Sequence, residues 1–209
     1  MKIITFSAGI FYTNIYILVD EATGKYAVID PGDKTDELYN TCEDLGFDNL
    51  EYIMLTHGHF DHIYGVDALM EKCSAKLVIS GDDAEMLLDT RKNASWLVGA
   101  EITCESKPDI LVSDGDMIHL GELEINVIST PGHSKGSVCY ICDNVIFAGD
   151  TVFCCGNGRT DLYSGSEKEL HESFSKIAEL EGDYNIYCGH DIPTTLSYER
   201  EHNPNLRMR

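Results

Sequence analysis

Thr56-His57-Gly58-His59-Phe60-Asp61-His62 places three imidazoles and one carboxylate within six residues, directly after the apolar run Glu51–Thr56. Imidazole nitrogen and carboxylate oxygen suit zinc, iron or manganese. One ion cannot easily take all four groups from so tight a loop. Alternate residues in an extended turn point in different directions, so the four groups divide between two ions. His57 and His59 can reach one, and Asp61 and His62 can reach the other. Gly58 lets the backbone bend there without a side-chain clash. Clustered imidazoles would repel one another if protonated and would gain little from packing, so a purely structural role explains them poorly.

Further along the chain, three more strand-like runs end in a possible ligand. Ile125–Thr130 leads through Pro131-Gly132 into His133, Asn144–Ala148 leads through Gly149 into Asp150, and Asn185–Cys188 leads through Gly189 into His190. Strands are rigid, and the loops after them can converge. His133 can complete the first ion's set and His190 the second, while Asp150 has two oxygens with which to bridge both. An ion with an open position polarises a carbonyl, and a water held between two ions is ionised near neutral pH. That equipment cleaves a thioester, a lactone or an amide. His119, His171 and His202 stand alone and are read as surface or core residues.

The rest of the composition narrows the partners. The chain has 15 Lys and Arg against 36 Asp and Glu, a net charge of −21. A nucleic-acid partner needs a basic surface and is not expected. No apolar run is long enough to span a bilayer, and Met1–Asp20 lacks the apolar core and cleavage site of a signal peptide. The expectation is a cytoplasmic protein with a small-molecule substrate, neither nucleic acid nor membrane being a partner. The pattern assigns no oligomeric state. Of the eight cysteines, Cys139 and Cys142 lie inside an apolar strand-like run. Cys154 and Cys155 are adjacent, a poor geometry for a shared ion. Buried free thiols are expected throughout.

Strand-like runs also occur at Asn14–Val19, Tyr26–Ile29, Lys76–Ser80 and Val138–Ile141, with helical patterns between several of them. Leu38, Cys42 and Leu45 share a face that stops at Gly46; Val66, Leu69, Met70 and Cys73 share another, and Ala84, Leu87 and Leu88 a third. Ser166 and Glu169 form a capping box ahead of Leu170, Phe174, Ile177 and Ala178. With no low-complexity linker, residues 1–209 are read as one domain. Arg91 to Pro108 is the least patterned stretch and is expected to be a loop or insertion over the site.

The H-x-H-x-D-H cluster, the later Gly-His, the Gly-Asp-Thr and the final Gly-His resemble, in type and order, the metallo-β-lactamase superfamily. The resemblance implies an αββα sandwich of the α/β (α+β) class, with two mixed β-sheets face to face, helices on both outer faces and metals at one edge. Within the superfamily the chain most resembles the compact glyoxalase II-like proteins, or hydroxyacylglutathione hydrolases. The similar stretches are Thr130-Pro131-Gly132-His133-Ser134-Lys135-Gly136-Ser137, Gly158-Arg159-Thr160-Asp161-Leu162 and Glu199-Arg200-Glu201-His202-Asn203-Pro204. It departs at Asp191, where a Gly is usual, and at Lys135, where Pro or Gly is frequent. It also carries no counterpart of the helical domain with which longer members hold glutathione, which counts against S-lactoylglutathione as substrate.

The expected enzyme is therefore a dinuclear metal-dependent hydrolase of a small thioester or related acyl substrate. His57, His59, His133 and Asp150 hold one divalent ion, and Asp61, His62, Asp150 and His190 hold the other, with zinc expected first and iron or manganese also suited. Asp61 additionally orients the nucleophile. Lys135, Arg159 and Tyr163 are candidates for contact with substrate. One rival reading is a persulfide dioxygenase with a single iron on His57, His133 and Asp150. Another is a non-enzymatic interaction protein in which the metals only brace the fold.

Overall fold

The burial pattern of Thr13–Val19 shows how the layers are built. Every residue of this strand is buried, yet alternate side chains enter different cores. Ile15, Ile17 and Val19 pack on one side, while Tyr16 and Leu18 pack on the other. A strand covered on both faces has apolar residues at consecutive positions. The computed structural model describes residues 1–206 of the chain.

Two six-stranded sheets face each other, each with its strands in chain order. The first contains β1 (Lys2–Ala8), β2 (Thr13–Val19), β3 (Tyr26–Ile29), β4 (Leu50–Met54), β5 (Lys76–Ser80) and β6 (Ile110–Val112). Its first three strands are antiparallel, and β3 to β6 are parallel. The second contains β7 (Met117–Leu120), β8 (Leu123–Ser129), β9 (Val138–Cys142), β10 (Val145–Gly149), β11 (Asn185–Cys188) and β12 (Thr194–Thr195). Only β10 and β11 pair in parallel there. Both sheets are mixed, as expected.

Helices α1 (Asp36–Leu45) and α3 (Val66–Met70) cover the first sheet, where Leu38, Cys42, Val66 and Leu69 meet Ile15 and Ile17. Helices α4 (Glu167–Ala178) and α5 (Leu196–His202) cover the second, where Leu170, Phe174, Ile177 and Leu196 meet Ile141 and Ile146. Tyr16, Ile29, Met54, Val127, Tyr140 and Phe147 fill the space between the sheets. Each aliphatic side chain so buried contributes about 1.5–3 kcal/mol. This is the expected four-layer sandwich.

Several local expectations change. The edge strand β1 and the strands β6, β7 and β12 are not among the strand-like runs read from the sequence; β6 and β7 are largely apolar but only three and four residues long, and β12 has two residues. Ala84–Leu88 forms a 3-10 helix rather than an α-helix, and Leu88 is exposed. The capping box is half made. Ser166 Oγ accepts from the Glu169 amide at 3.3 Å, but the Ser166 amide donates to Gly132 O at 2.8 Å. That bond ties the start of α4 to the loop that carries His133. Gly46 ends α1 at φ +82°.

Candidate metal centre

The ends of β4, β8, β10 and β11 meet at one rim, as the sequence pattern implies. The two sheets are joined there by the Val138 amide, which donates to Thr56 O at 2.9 Å. Tyr140 Oη donates to Leu55 O at 2.8 Å. Helix α2 (Phe60–Ile63) begins at the turn after His59 and carries Asp61 and His62. Gly58 is needed for space, because a Cβ there would come within 2.8 Å of Met86 Cβ.

All seven nominated ligands come together. His59 Nδ1 lies 2.8 Å from His133 Nε2, and His133 Nε2 lies 3.2 Å from His57 Nε2. His133 Nε2 is 3.4 Å from Asp150 Oδ2. On the other side, His190 Nε2 is 3.3 Å from Asp61 Oδ2 and 3.5 Å from Asp150 Oδ2. His62 Nε2 is 3.4 Å from Asp150 Oδ1 and 3.8 Å from Asp61 Oδ2. The groups His57/His59/His133 and Asp61/His62/His190 each gather their ligand atoms within 4.8 Å. Asp150 faces both, one oxygen toward His62 and the other toward His133 and His190.

These contacts are spaced as edges of coordination polyhedra. Metal–nitrogen bonds of about 2.0–2.1 Å place tetrahedral ligands about 3.3 Å apart. Hydrogen bonding alone fits the cluster poorly, since His62 Nε2 and Asp150 Oδ1 are buried without a hydrogen-bond partner. The residues therefore fit two divalent ions.

The backs of the rings are held in the matching tautomer. His133 Nδ1 donates to Arg159 O at 2.7 Å, and His190 Nδ1 donates to Phe11 O at 3.0 Å. His57 Nδ1 lies 3.1 Å from Thr56 Oγ1, which itself donates to Asp30 at 2.6 Å. In each case the proton on Nδ1 leaves Nε2 free to act as a ligand. His62 Nδ1 is 3.0 Å from Asp30 Oδ2, close enough for an ion pair though out of line for a hydrogen bond.

Electrostatics divide the centre as the geometry does. Burial, then the neighbouring imidazoles, push His57 well below its ordinary value and His59 down to about 3. Those rings are neutral, the form that binds a cation. Burial also works against a charge on His62 and His190, but the carboxylates beside them outweigh it. Asp30, Asp150 and Asp61 hold His62 well above its ordinary value, and Asp150 and Asp61 push His190 up to about 10. The same pairing holds Asp61 and Asp150 ionised despite their burial.

A cavity of about 340 Å³ opens over the centre. His59, Asp61, His133, Asp150 and His190 form its floor, and Phe11, Phe60, Leu97, Phe153 and Leu162 stand around it. A second hollow of about 290 Å³ shares Phe60 and Asp61 with it and is lined by Ile10, Tyr64 and Val98. Ala94 and Leu97 place part of the unpatterned 91–108 stretch over the site, as expected.

The sequence of residues 8–190 matches the model of the metallo-beta-lactamase superfamily. The chain belongs to the metallo-beta-lactamase superfamily. Its members bind divalent metals and are mostly metal-dependent hydrolases. A hydroxyacylglutathione hydrolase of Ectopseudomonas mendocina is 32% identical, over 93% of this chain and 69% of that one. The BLEG-1 B3 metallo-beta-lactamase structure superposes with a TM-score of 0.92 at 32% identity, covering 99% of this chain and 100% of that one. The di-iron form of TTHA1623 superposes with a TM-score of 0.85 at 28% identity, covering 96% of this chain and 98% of that one.

The three weaker site candidates fare differently in this superfamily member. Arg159 lines the cavity, with its guanidinium held on both oxygens of Asp161 at 2.7 and 2.8 Å. Lys135 is exposed and pairs with Asp82 at 2.6 Å. Tyr163 Oη donates to Glu85 at 2.6 Å. Neither Lys135 nor Tyr163 is among the cavity's lining residues.

Sequence reasoning missed Asp30, Thr13 and Asp83. Asp30 follows β3 at φ +49°, and the only sign of it was the Asp-Pro-Gly turn. Thr13 Oγ1 donates to Asp61 Oδ2 at 3.3 Å. Asp83 accepts from the Gly58 and Gly136 amides and from Ser134 Oγ, at 3.0, 2.7 and 2.6 Å. It joins the loop of His57 and His59 to the loop of His133. No local pattern marked either Thr13 or Asp83.

The thiols need a correction. Cys42, Cys104, Cys139, Cys142 and Cys188 are buried as expected, but Cys73 and Cys154 are half-buried and Cys155 is exposed. The sulfurs of Cys154 and Cys155 do come together, with Glu199, within 4.8 Å. A turn makes this possible where an extended chain would not. No helix among the described residues is long and apolar enough to cross a membrane.

Proposed function

We propose that the chain hydrolyses a small thioester or related acyl ester with an apolar acyl group. The observation that carries this reading is the pair of donor sets that share Asp150 on the floor of an apolar-walled cavity. Zinc is the proposed occupant of both sets, with iron or manganese as alternatives. Bound there, two divalent cations would supply Lewis acidity and an ionised water near neutral pH.

The chain's own residues supply the rest. Phe11, Phe60, Leu97, Phe153 and Leu162 take the acyl group and exclude bulk water. Asp61 Oδ2 accepts from Thr13 Oγ1, lies against His190 Nε2 and lines the cavity, a position from which it can orient a nucleophile's proton. His59, His133 and His190 also reach the cavity surface. Arg159, with its carboxylate partner exposed, is placed to meet a polar group at the cavity mouth.

Two donor sets favour two ions per chain over a single iron. The test is metal content of the purified protein, followed by thiol release from a panel of acyl thioesters. A β-lactam and a glutathione persulfide, the latter with oxygen uptake as readout, serve as competing substrates. At least two ions per chain and chelator-sensitive thiol release support the proposal. One iron per chain with oxygen uptake would replace it with the dioxygenase reading. Metal binding without turnover of any of them would leave the bracing role.

A further inference from the structure

Away from the histidine cluster, Cys154 and Cys155 occupy the middle of a tight turn. Phe153 and Gly156 close it by exchanging both backbone hydrogen bonds at 3.1 Å. Cys155 holds φ +56°, a position that favours glycine. A β-carbon there costs about 1–2 kcal/mol, and the exposed Cys155 side chain gains little from packing in return. The conformation brings both sulfurs to the same side of the chain as Glu199.

Glu199 is the second observation. Its side chain lies on α5 and is 0% exposed. Oε1 accepts from Thr194 Oγ1 at 2.6 Å, and Oε2 accepts from the Cys155 amide and Asn203 Nδ2, each at 2.9 Å. Among the described residues, no Lys, Arg or His forms an ion pair with it. Arg200, next in sequence, instead donates to the carbonyls of Ala178, Leu180 and Gly182. Burying a carboxylate without a counter-charge costs several kcal/mol, which a cation beside it would offset. Oε1 retains a lone pair for that purpose.

We infer that Cys154 Sγ, Cys155 Sγ and a Glu199 carboxylate oxygen form a third cation site, specific for a thiophilic d10 ion. Two thiolates and one carboxylate carry three negative charges. Sulfur ligation selects zinc, cadmium or copper(I) over magnesium or calcium. The turn also carries Phe153, whose ring lies 5.9 Å from that of His190. The third site therefore borders the cavity wall while sharing no ligand with the main centre, and it does not depend on the hydrolase reading.

Cadmium titration of the reduced, metal-loaded protein tests this, because sulfur-to-cadmium charge-transfer absorption reports thiolate ligation only. Cadmium entering the histidine and aspartate sets gives no such band. One equivalent should saturate the band. Cys154→Ser and Cys155→Ser should each weaken cadmium binding at least tenfold, and Cys73→Ser should leave it unchanged. Both serine variants lie on a surface turn, and circular dichroism verifies their fold. The absence of a band, or a Cys155→Ser variant that binds cadmium as tightly as the parent, would overturn the site. A band unchanged in folded Glu199→Gln would overturn the three-ligand assignment. Should Glu199→Gln fail to fold, the cysteine variants still decide whether the thiols bind.

Discussion

Replacing Asp83 by Asn should loosen the first donor set without touching a ligand. Asp83 is fully buried and accepts three hydrogen bonds, with Oδ2 serving Gly58 and Ser134 and Oδ1 serving Gly136. An amide can keep only one oxygen. Turned toward Gly58 and Ser134, it sets its NH2 against the Gly136 amide, where Oδ1 now sits at 2.7 Å. One hydrogen bond to a charged acceptor is lost, worth about 1.5–3 kcal/mol, and the other two weaken. Part of this is recovered, because burial disfavours the ionised carboxylate and raises its pKa, a penalty Asn avoids. The net destabilisation is about 2 kcal/mol. At about 2–4 °C per kcal/mol for a chain of this length, the Tm should fall by roughly 4–8 °C. The loops of His57/His59 and of His133 lose their common anchor, so one ion should bind about 10–100-fold more weakly. Thermal unfolding of the chelated protein reads the first effect, and competitive metal titration reads the second. A variant with a Tm within about 1 °C of the parent and two ions of unchanged affinity would refute the reasoning.

Asp61→Ala should keep the fold and lose at least about 100-fold in kcat, since it removes a donor and the proposed orienting group; near-normal turnover in steady-state assays would exclude that role. Gly132→Ala should destabilise by more than about 3 kcal/mol, because at φ +136° its Cβ would sit 2.3 Å from the Leu170 amide on α4; an unchanged melting curve would refute the close approach. Burial alone would raise the Asp67 carboxyl, but Ser106 Oγ and the Glu105 and Ser106 amides hold it below the ordinary 3.8. A depressed carboxylate stabilises the fold above its unfolded value and loses that contribution as pH falls through its folded value. Pepsin cleavage near residues 103–106 should therefore rise only below about pH 3.8, whereas Asp67→Asn should show the same opening to a neutral protease at pH 7. Ions must displace a proton from His190, raised to about 10, but none from His59, lowered to about 3. One ion's affinity should thus climb more steeply from pH 6 to 9 than the other's, with isothermal titration in buffers of different ionisation enthalpy as the check.

What the sequence revealed depends on how far apart the interacting residues lie. His57, His59, Asp61 and His62 form one local pattern, and His133, Asp150 and His190 each follow an apolar run whose strand propensity is readable by itself. Their convergence required only that the runs be strands ending at the same rim. Asp83 works across 51 positions to Ser134, and its own neighbourhood, Gly81-Asp82-Asp83, looks like any turn. Lys135 and Tyr163 failed to reach the cavity for the converse reason. Their chemistry suits substrate contact, but Asp82 and Glu85 engage them at the surface, and nothing near them in sequence names those partners. The cavity wall is the limiting case. Phe11, Phe60, Leu97, Phe153 and Leu162 come from five separate stretches of chain. Singly, each reads as an ordinary apolar residue; only the fold makes them a surface. A change in one of them leaves the donor sets intact, so the cavity wall can change while the H-x-H-x-D-H pattern stays the same. The motif therefore identifies the metal centre, and the side chains that select the substrate must be located from the structure.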